Sequence, residues 1–157
     1  MENIIETILK CLSISQPFAD LVVSGRKTIE LRNWNTNFRG EFLVHSPMKI
    51  RIDDCKRLKI TKKLVTGAII GKAELYHVKK YNSVKNVKED KEFHLSSKNF
   101  RGKTFGFLLK NPKPLRIPIP WKGQLGFFDV KLSKTGTEEI LTDIIDDEYR
   151  FQWIGHH

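Results

Sequence analysis

Apolar and polar positions alternate loosely over residues 8–15, which predicts a first strand. Ser15-Gln16-Pro17 then looks like a helix entry, with Ser15 as N-cap and Pro17 in the first turn. Phe18, Leu21 and Val22 fall at i, i+3 and i+4 and give that helix one apolar stripe. Gly25 ends it, as a residue free to take positive φ. In the strand that follows, at about 27–33, Ile29 and Leu31 turn toward a core while Thr28, Glu30 and Arg32 share the other side. Residues 39–45 read as the next strand, paired with the 27–33 strand through a loop that holds Trp34 and Thr36.

From Met48 to Leu64 the period becomes helical, with Ile50, Cys55, Leu58 and Ile52 inward and seven Lys and Arg around the remainder, so this is a basic helix. Residues 67–78 form a long strand whose Gly67 and Gly71 suit a bent, mostly buried barrel strand. The stretch 82–101 is charged and irregular and reads as a mobile insertion with one short helix. Three short strands follow at 104–109, 113–119 and 126–132, separated by Asn-Pro and Trp-Lys-Gly-Gln turns. Pro118 and Pro120 confine the middle one to an edge or a bulge. Residues 140–153 have the pattern of a last amphipathic helix, either laid against the basic body or a solvated end.

About six strands with one helix between the first two and a basic helix after the third predict an α+β domain built on a mixed β-barrel. A chain of 157 residues suits one domain, with a core over about 8–134 and an acidic extension at 135–157. Charge is uneven. Residues 1–136 hold 27 Lys and Arg against 12 acids, or +15, whereas residues 137–157 hold one Arg against six acids. A basic body with an acidic tail fits a polyanion partner, nucleic acid above all, although lysines on a solvated surface account for part of it.

No apolar run approaches the roughly 18–20 residues of a membrane span, and the acidic start at Met1-Glu2 does not read as a secretory signal. The expectation is a cytoplasmic or nuclear protein, a monomer, without membrane contact. Cys11 and Cys55 have no Cys-x-x-Cys spacing, and His45, His77 and His94 have no ligand-spaced partners, which argues against a metal. His156 and His157 are excluded from any metal reading. No phosphate loop, dinucleotide fingerprint or nucleophile elbow is present, and no cofactor is expected.

The densest chemistry lies in Gly25-Arg26-Lys27-Thr28-Ile29-Glu30-Leu31-Arg32. Glu30 and Arg32 on one strand face make either a surface ion pair or, with Lys27 at the mouth of the turn, one wall of a cleft. In a cleft, Lys27 and Arg32 would meet phosphate oxygens while Glu30 orients one of them or accepts from a base amino group. Trp34 and Trp121 are then stacking platforms, against the alternative of two core tryptophans. His45, at the end of the neighbouring strand, either reaches the cleft or is structural.

These eight residues fit the G-x-K-x-x-E-x-R pattern of the activating signal cointegrator homology (ASCH) domain family. The resemblance extends through Cys11-Leu12-Ser13-Ile14-Ser15-Gln16-Pro17-Phe18 and Trp34-x-Thr36-x-x-Arg39-Gly40. It continues in Phe107-Leu108-Leu109-Lys110-Asn111-Pro112 and Pro118-Ile119-Pro120-Trp121-Lys122-Gly123. It implies the PUA-like fold (pseudouridine synthase and archaeosine transglycosylase) and binding of RNA or another single-stranded nucleic acid, in RNA metabolism or transcription coactivation. The binding residues it implies are Gly25, Lys27, Glu30, Arg32, Trp34, Thr36, Arg39, His45, Lys110, Trp121 and Lys122.

Some small members resemble amidohydrolases that deacylate modified cytidine with a Lys, a Thr nucleophile and a Glu, and others are ribonucleases, so a modified nucleotide is a further candidate ligand. Here Lys27 matches the lysine, Glu30 takes the threonine's place, and Thr28 stands two residues earlier. Lys27, Glu30 and Thr28 are therefore the candidate catalytic residues. A third reading is a protein-interaction adaptor that recruits its partner through the domain surface or the acidic tail.

Overall fold

In the computed structural model, which describes residues 6–98 and 102–133, six strands join one mixed sheet. In chain order the elements are β1 (Glu6–Ser13), α1 (Phe18–Val23), β2 (Ile29–Arg32), β3 (Gly40–Ser46), α2 (Ile52–Arg57) and β4 (Ala68–Tyr81). They continue with α3 (Val84–Glu89), α4 (Lys91–His94), β5 (Thr104–Pro120) and β6 (Phe127–Ser133). The stretch read as a last helix, 140–153, lies outside the described residues. The strand order is β2-β5-β4-β3-β1-β6, with β1 and β3 parallel and the other ladders antiparallel.

Four steps separate β5 from β6 in that order, which in a flat sheet is roughly 19 Å at about 4.8 Å per step. Yet Phe107 of β5 stacks on Phe127 of β6 with 6.1 Å between ring centroids. The sheet therefore curls until its far strands share one interior, a barrel-like α+β fold in which no β2–β6 ladder closes the ring among the described residues. Trp34, in the loop after β2, meets both rings edge-on at 5.2 and 6.0 Å. Leu12, Phe42, Val44, Leu75 and the apolar face of α1 complete this core.

Several sequence expectations are corrected. β2 does not pair with β3; it pairs with β5, Ile29 opposite Leu108, while β3 is taken on both sides by β1 and β4. The strands read at 104–109 and 113–119 are one strand of 17 residues. Its prolines are tolerated because β2 reaches only as far as Leu108 and the ladder to β4 slips at three places, so their missing N–H groups fall on an open or irregular stretch.

The basic helix shrinks to six residues, with Ile52 exposed and Asp54 buried. Ser15 does not cap α1 with its side chain. Gln16 does that service, its Oε1 accepting from Asp20 N–H at 3.0 Å and its amide donating to Asp20 Oδ1 and Val65 O. The stretch 82–98 is no loose insertion. Ile29 and Leu31 need cover, and Val87 of α3 and Tyr81 of β4 supply it in a separate small core.

Candidate nucleic-acid interface

α1 ends where the pattern of apolar positions requires. Gly25 takes φ +84°, and Lys27 N–H then closes on Leu21 O at 2.9 Å, which turns the chain into β2. Glu30 and Arg32 project from one face of β2 onto a cleft of about 460 Å³. Ser13 at the end of β1 and Ile14 just after it, Phe18 of α1, Trp34, Arg51 and the segment around Ser96 and Lys98 complete its walls with Lys103.

Lys27 is 2% exposed. Its three N–H groups find three acceptors: Ile29 O at 2.7 Å, His94 O, and Glu30 Oε1 at 3.4 Å. Burial pulls its pKa below the ordinary lysine value, with Glu30 opposing. Glu30 accepts from Arg32 Nε at 3.0 Å and Nη2 at 2.7 Å. Burial pushes the Glu30 carboxyl up, but the charges and hydrogen bonds of Arg32 and Lys27 outweigh it, so the group stays below the usual carboxylate range. Arg32 Nη2 also donates to Ser13 O at 2.8 Å, while the two N–H groups of Nη1 have no partner among the described residues.

The second cationic arm comes from the chain before α2. Arg51 Nε donates to Asp54 Oδ2 at 2.8 Å, its guanidinium lies 5.9 Å from the centre of the Phe18 ring, and its terminal nitrogens are unpartnered among the described residues. Asp54 Oδ1 also receives Arg57 Nη2 at 3.0 Å and Ser97 Oγ at 3.4 Å. Burial raises the Asp54 carboxyl, and its bonds to Arg51 and Arg57 override that and hold it below its ordinary value.

The segment 93–98 is strapped over the motif by main-chain atoms: Thr28 N–H donates to Phe93 O at 3.0 Å, Lys27 to His94 O, and Arg57 to Leu95 O. His94 is buried. Its Nδ1 accepts from Ser96 N–H at 3.0 Å, so the proton sits on Nε2, 2.7 Å from Val87 O, and burial keeps its pKa below the ordinary histidine value. Lys98 and Lys103 stand on the rim, exposed, with no side-chain partner among the described residues. Arg51, Asp54, His94, Lys98 and Lys103 were not singled out in the sequence as parts of a site. The lysine and arginine content of 49–63 was the one signal that pointed toward Arg51.

Among the residues that the resemblance implies, Lys27, Glu30, Arg32 and Trp34 come together at this cleft. His45, Trp121 and Lys122 instead line a second cavity of about 770 Å³, and Ser13 lines both. His45 is buried, its Nε2 donating to Trp121 O at 2.7 Å and its Nδ1 lying 2.8 Å from Ser13 Oγ.

Four others line neither space. Gly25 serves the turn, Thr36 Oγ accepts from Phe38 N–H within its own loop, and Arg39 donates to Thr36 O and Phe38 O. Lys110 pairs with Glu74 at 3.5 Å over the Tyr76 ring. Thr28 is not among the lining residues of the cleft, so it does not join Lys27 and Glu30 there. Burial pushes the Cys11 thiol up to about 12. Among the described residues no cluster of three or more His, Cys, Asp or Glu is placed to hold a metal, and no helix is long and apolar enough to cross a membrane.

A human protein, activating signal cointegrator 1, is 27% identical in an alignment over 126 residues that covers 72% of this chain and 21% of that protein. This chain thus spans about a fifth of that relative. The fold is shared with the crystal structure of ASCH from Zymomonas mobilis, with a TM-score of 0.58 at 20% identity over 85% of this chain and 93% of the other. A point-mutant form of that protein gives 0.56 at 19% identity, over 85% and 96%. The ASCH domain model matches residues 12–123, a span that runs from β1 through the cleft-forming β2 and on to Gly123 beside the second cavity. The chain belongs to the ASCH domain family, which is generally linked to RNA binding.

Proposed function

We propose that the cleft at β2 binds a nucleotide of single-stranded RNA, with the chain acting in RNA metabolism or transcription regulation. One observation carries this reading: Lys27, Arg32, Arg51, Lys98 and Lys103 stand against a single carboxylate, Glu30, around a space that also holds Trp34 and Phe18. Such a cleft attracts an anion that carries a flat apolar group, and a nucleotide is that molecule. Its size lies within the range of about 300–1,000 Å³ common for small-ligand sites.

Lys27 is spent on internal acceptors, so the phosphate contacts fall to Arg32 Nη1, the Arg51 terminal nitrogens, Lys98 and Lys103. Four such contacts to a single strand predict a slope of log affinity on log salt of about −3. Fluorescence anisotropy of a short labelled RNA across a salt series tests this. Arg32→Ala should weaken binding at every salt concentration, and binding that ignores salt would remove the proposal.

A further inference from the structure

We infer that the second cavity, beside Trp121, is a subsite for the base of the nucleotide next to the one held in the cleft, so that the site takes a dinucleotide step. This inference rests on the reading of the cleft given above. Its first support is continuity. Ser13 lines both spaces and is their shared partition. Its Oγ is held by His45 Nδ1, its carbonyl by Arg32 Nη2, and the chain at Gly123 lies flush against it. A Cβ at Gly123 would come within 2.6 Å of Ser13 Oγ and 2.7 Å of the His45 ring, so only glycine lets the backbone approach this closely.

The second support is chemistry. The cavity is lined by Trp121, Met48, Pro47 and Leu125, with Lys122 and Gln124 as its polar side chains at the loop and no carboxylate among its lining residues. Met48 is 76% and Leu125 98% exposed, an apolar opening at the mouth of the cavity. An aromatic face with sulfur and aliphatic neighbours accepts the face of any base, while Lys122, exposed and without a side-chain partner among the described residues, can meet the linking phosphate.

The third support is rigidity. Trp121 is clamped by its main chain on both sides, N–H to Gly67 O at 3.1 Å and C=O from His45 Nε2 at 2.7 Å. Holding the platform in place before the ligand arrives removes an ordering cost that binding would otherwise carry. The two spaces divide the labour: the cleft is ionic, the cavity apolar, and a strand crossing Ser13 must turn its two bases apart. That geometry selects unstacked, single-stranded substrates over a duplex.

Titration calorimetry with 5′-AMP, 3′-AMP and the dinucleotide ApA tests the inference on the whole chain. ApA should bind about tenfold more tightly than the better mononucleotide, equivalent to about 1.4 kcal/mol. Trp121→Ala should abolish that gain, whereas Arg32→Ala should weaken all three ligands. Leu125→Ser, at a fully solvated position, provides the second variant should Trp121→Ala fail to fold; it should lower the gain two- to threefold.

An ApA affinity equal to that of AMP, or a gain that survives both variants, overturns the subsite while leaving the cleft intact. Failure of every ligand to bind overturns the cleft and the subsite together. Sedimentation velocity should find a monomer. A concentration-dependent dimer that Leu125→Asp dissolves would give this face to a second copy of the chain and overturn the inference.

Discussion

Lys27 on the inner wall of the cleft and Lys98 with Lys103 on its rim carry the same charge, but they stand in opposite situations. Every donor of Lys27 is taken by Ile29 O, His94 O and Glu30, and the side chain is sealed from solvent. The rim lysines are exposed and unpartnered among the described residues. Arg32 and Arg51 are intermediate, one part of each guanidinium tied to a carboxylate and the other part open. The G-x-K-x-x-E-x-R residues thus hold the cleft together, while cationic side chains outside the motif, Arg51, Lys98 and Lys103, supply much of its open positive charge.

The largest effect that would sharpen this contrast is on stability. Lys27→Met removes the ammonium and leaves Glu30 with Arg32 alone and two carbonyls without their donor. Unfolding in urea should show a loss of about 3–5 kcal/mol, the usual consequence of breaking a buried pair from one side. A loss below about 0.5 kcal/mol would erase the distinction between wall and rim. Next comes Asp54→Ala, which frees Arg51 and Arg57 and should cost about 1–3 kcal/mol along with weaker RNA binding.

pH separates the wall from the rim in a third way. His94 has a folded pKa below its unfolded value of about 6.5, so the folded state prefers it neutral. Its contribution is complete above about pH 6.5 and is lost as pH falls from there through the folded pKa. Glu30 and Asp54, with depressed folded pKa values, hold their contribution until pH falls below about 4.5. Thermal melts from pH 7.5 to 5 should therefore decline for the native chain and flatten for His94→Gln. A native profile that is level down to pH 5 would mean that the strap over β2 does not depend on a neutral imidazole.

The rim prediction is smaller in energy and specific in kind. Lys98→Ala with Lys103→Ala should leave stability within about 0.5 kcal/mol and lower the salt slope of RNA binding by about 1.4, at about 0.7 per lost contact. Lys110→Ala, whose partner is Glu74 far along β4, should change neither quantity measurably.

The alternation of 27–33 and the glycine before it were enough to place Glu30 and Arg32 on one side and Ile29 and Leu31 on the other, because period two and positive φ are local properties. What β2 pairs with was not legible there. Ile29 meets Leu108 across nearly eighty residues, and neither segment carries a mark naming its partner. The strap at 93–98 was hidden for a different reason. Its anchors are the carbonyls of Phe93 and His94 on the motif and of Leu95 on Arg57, which any residue provides, so a lysine-rich stretch of low periodicity gave no sign that it folds against β2. Likewise the basic run at 49–63 suggested a helix by spacing, whereas the residue that organises it is Asp54, a buried acid that recruits two arginines.

The meeting of Phe107 with Phe127, with Trp34 edge-on to both across a curled sheet, makes the cleft a late product of folding. The contacts that reach from Trp34 to Phe107 and Phe127 form only after long, costly loops have closed, so no excised fragment would carry a usable pocket. Under the proposed function, nucleotide affinity would double as an integrity gauge: a preparation that retains strands but has not rolled up should look structured by circular dichroism and yet be silent toward RNA.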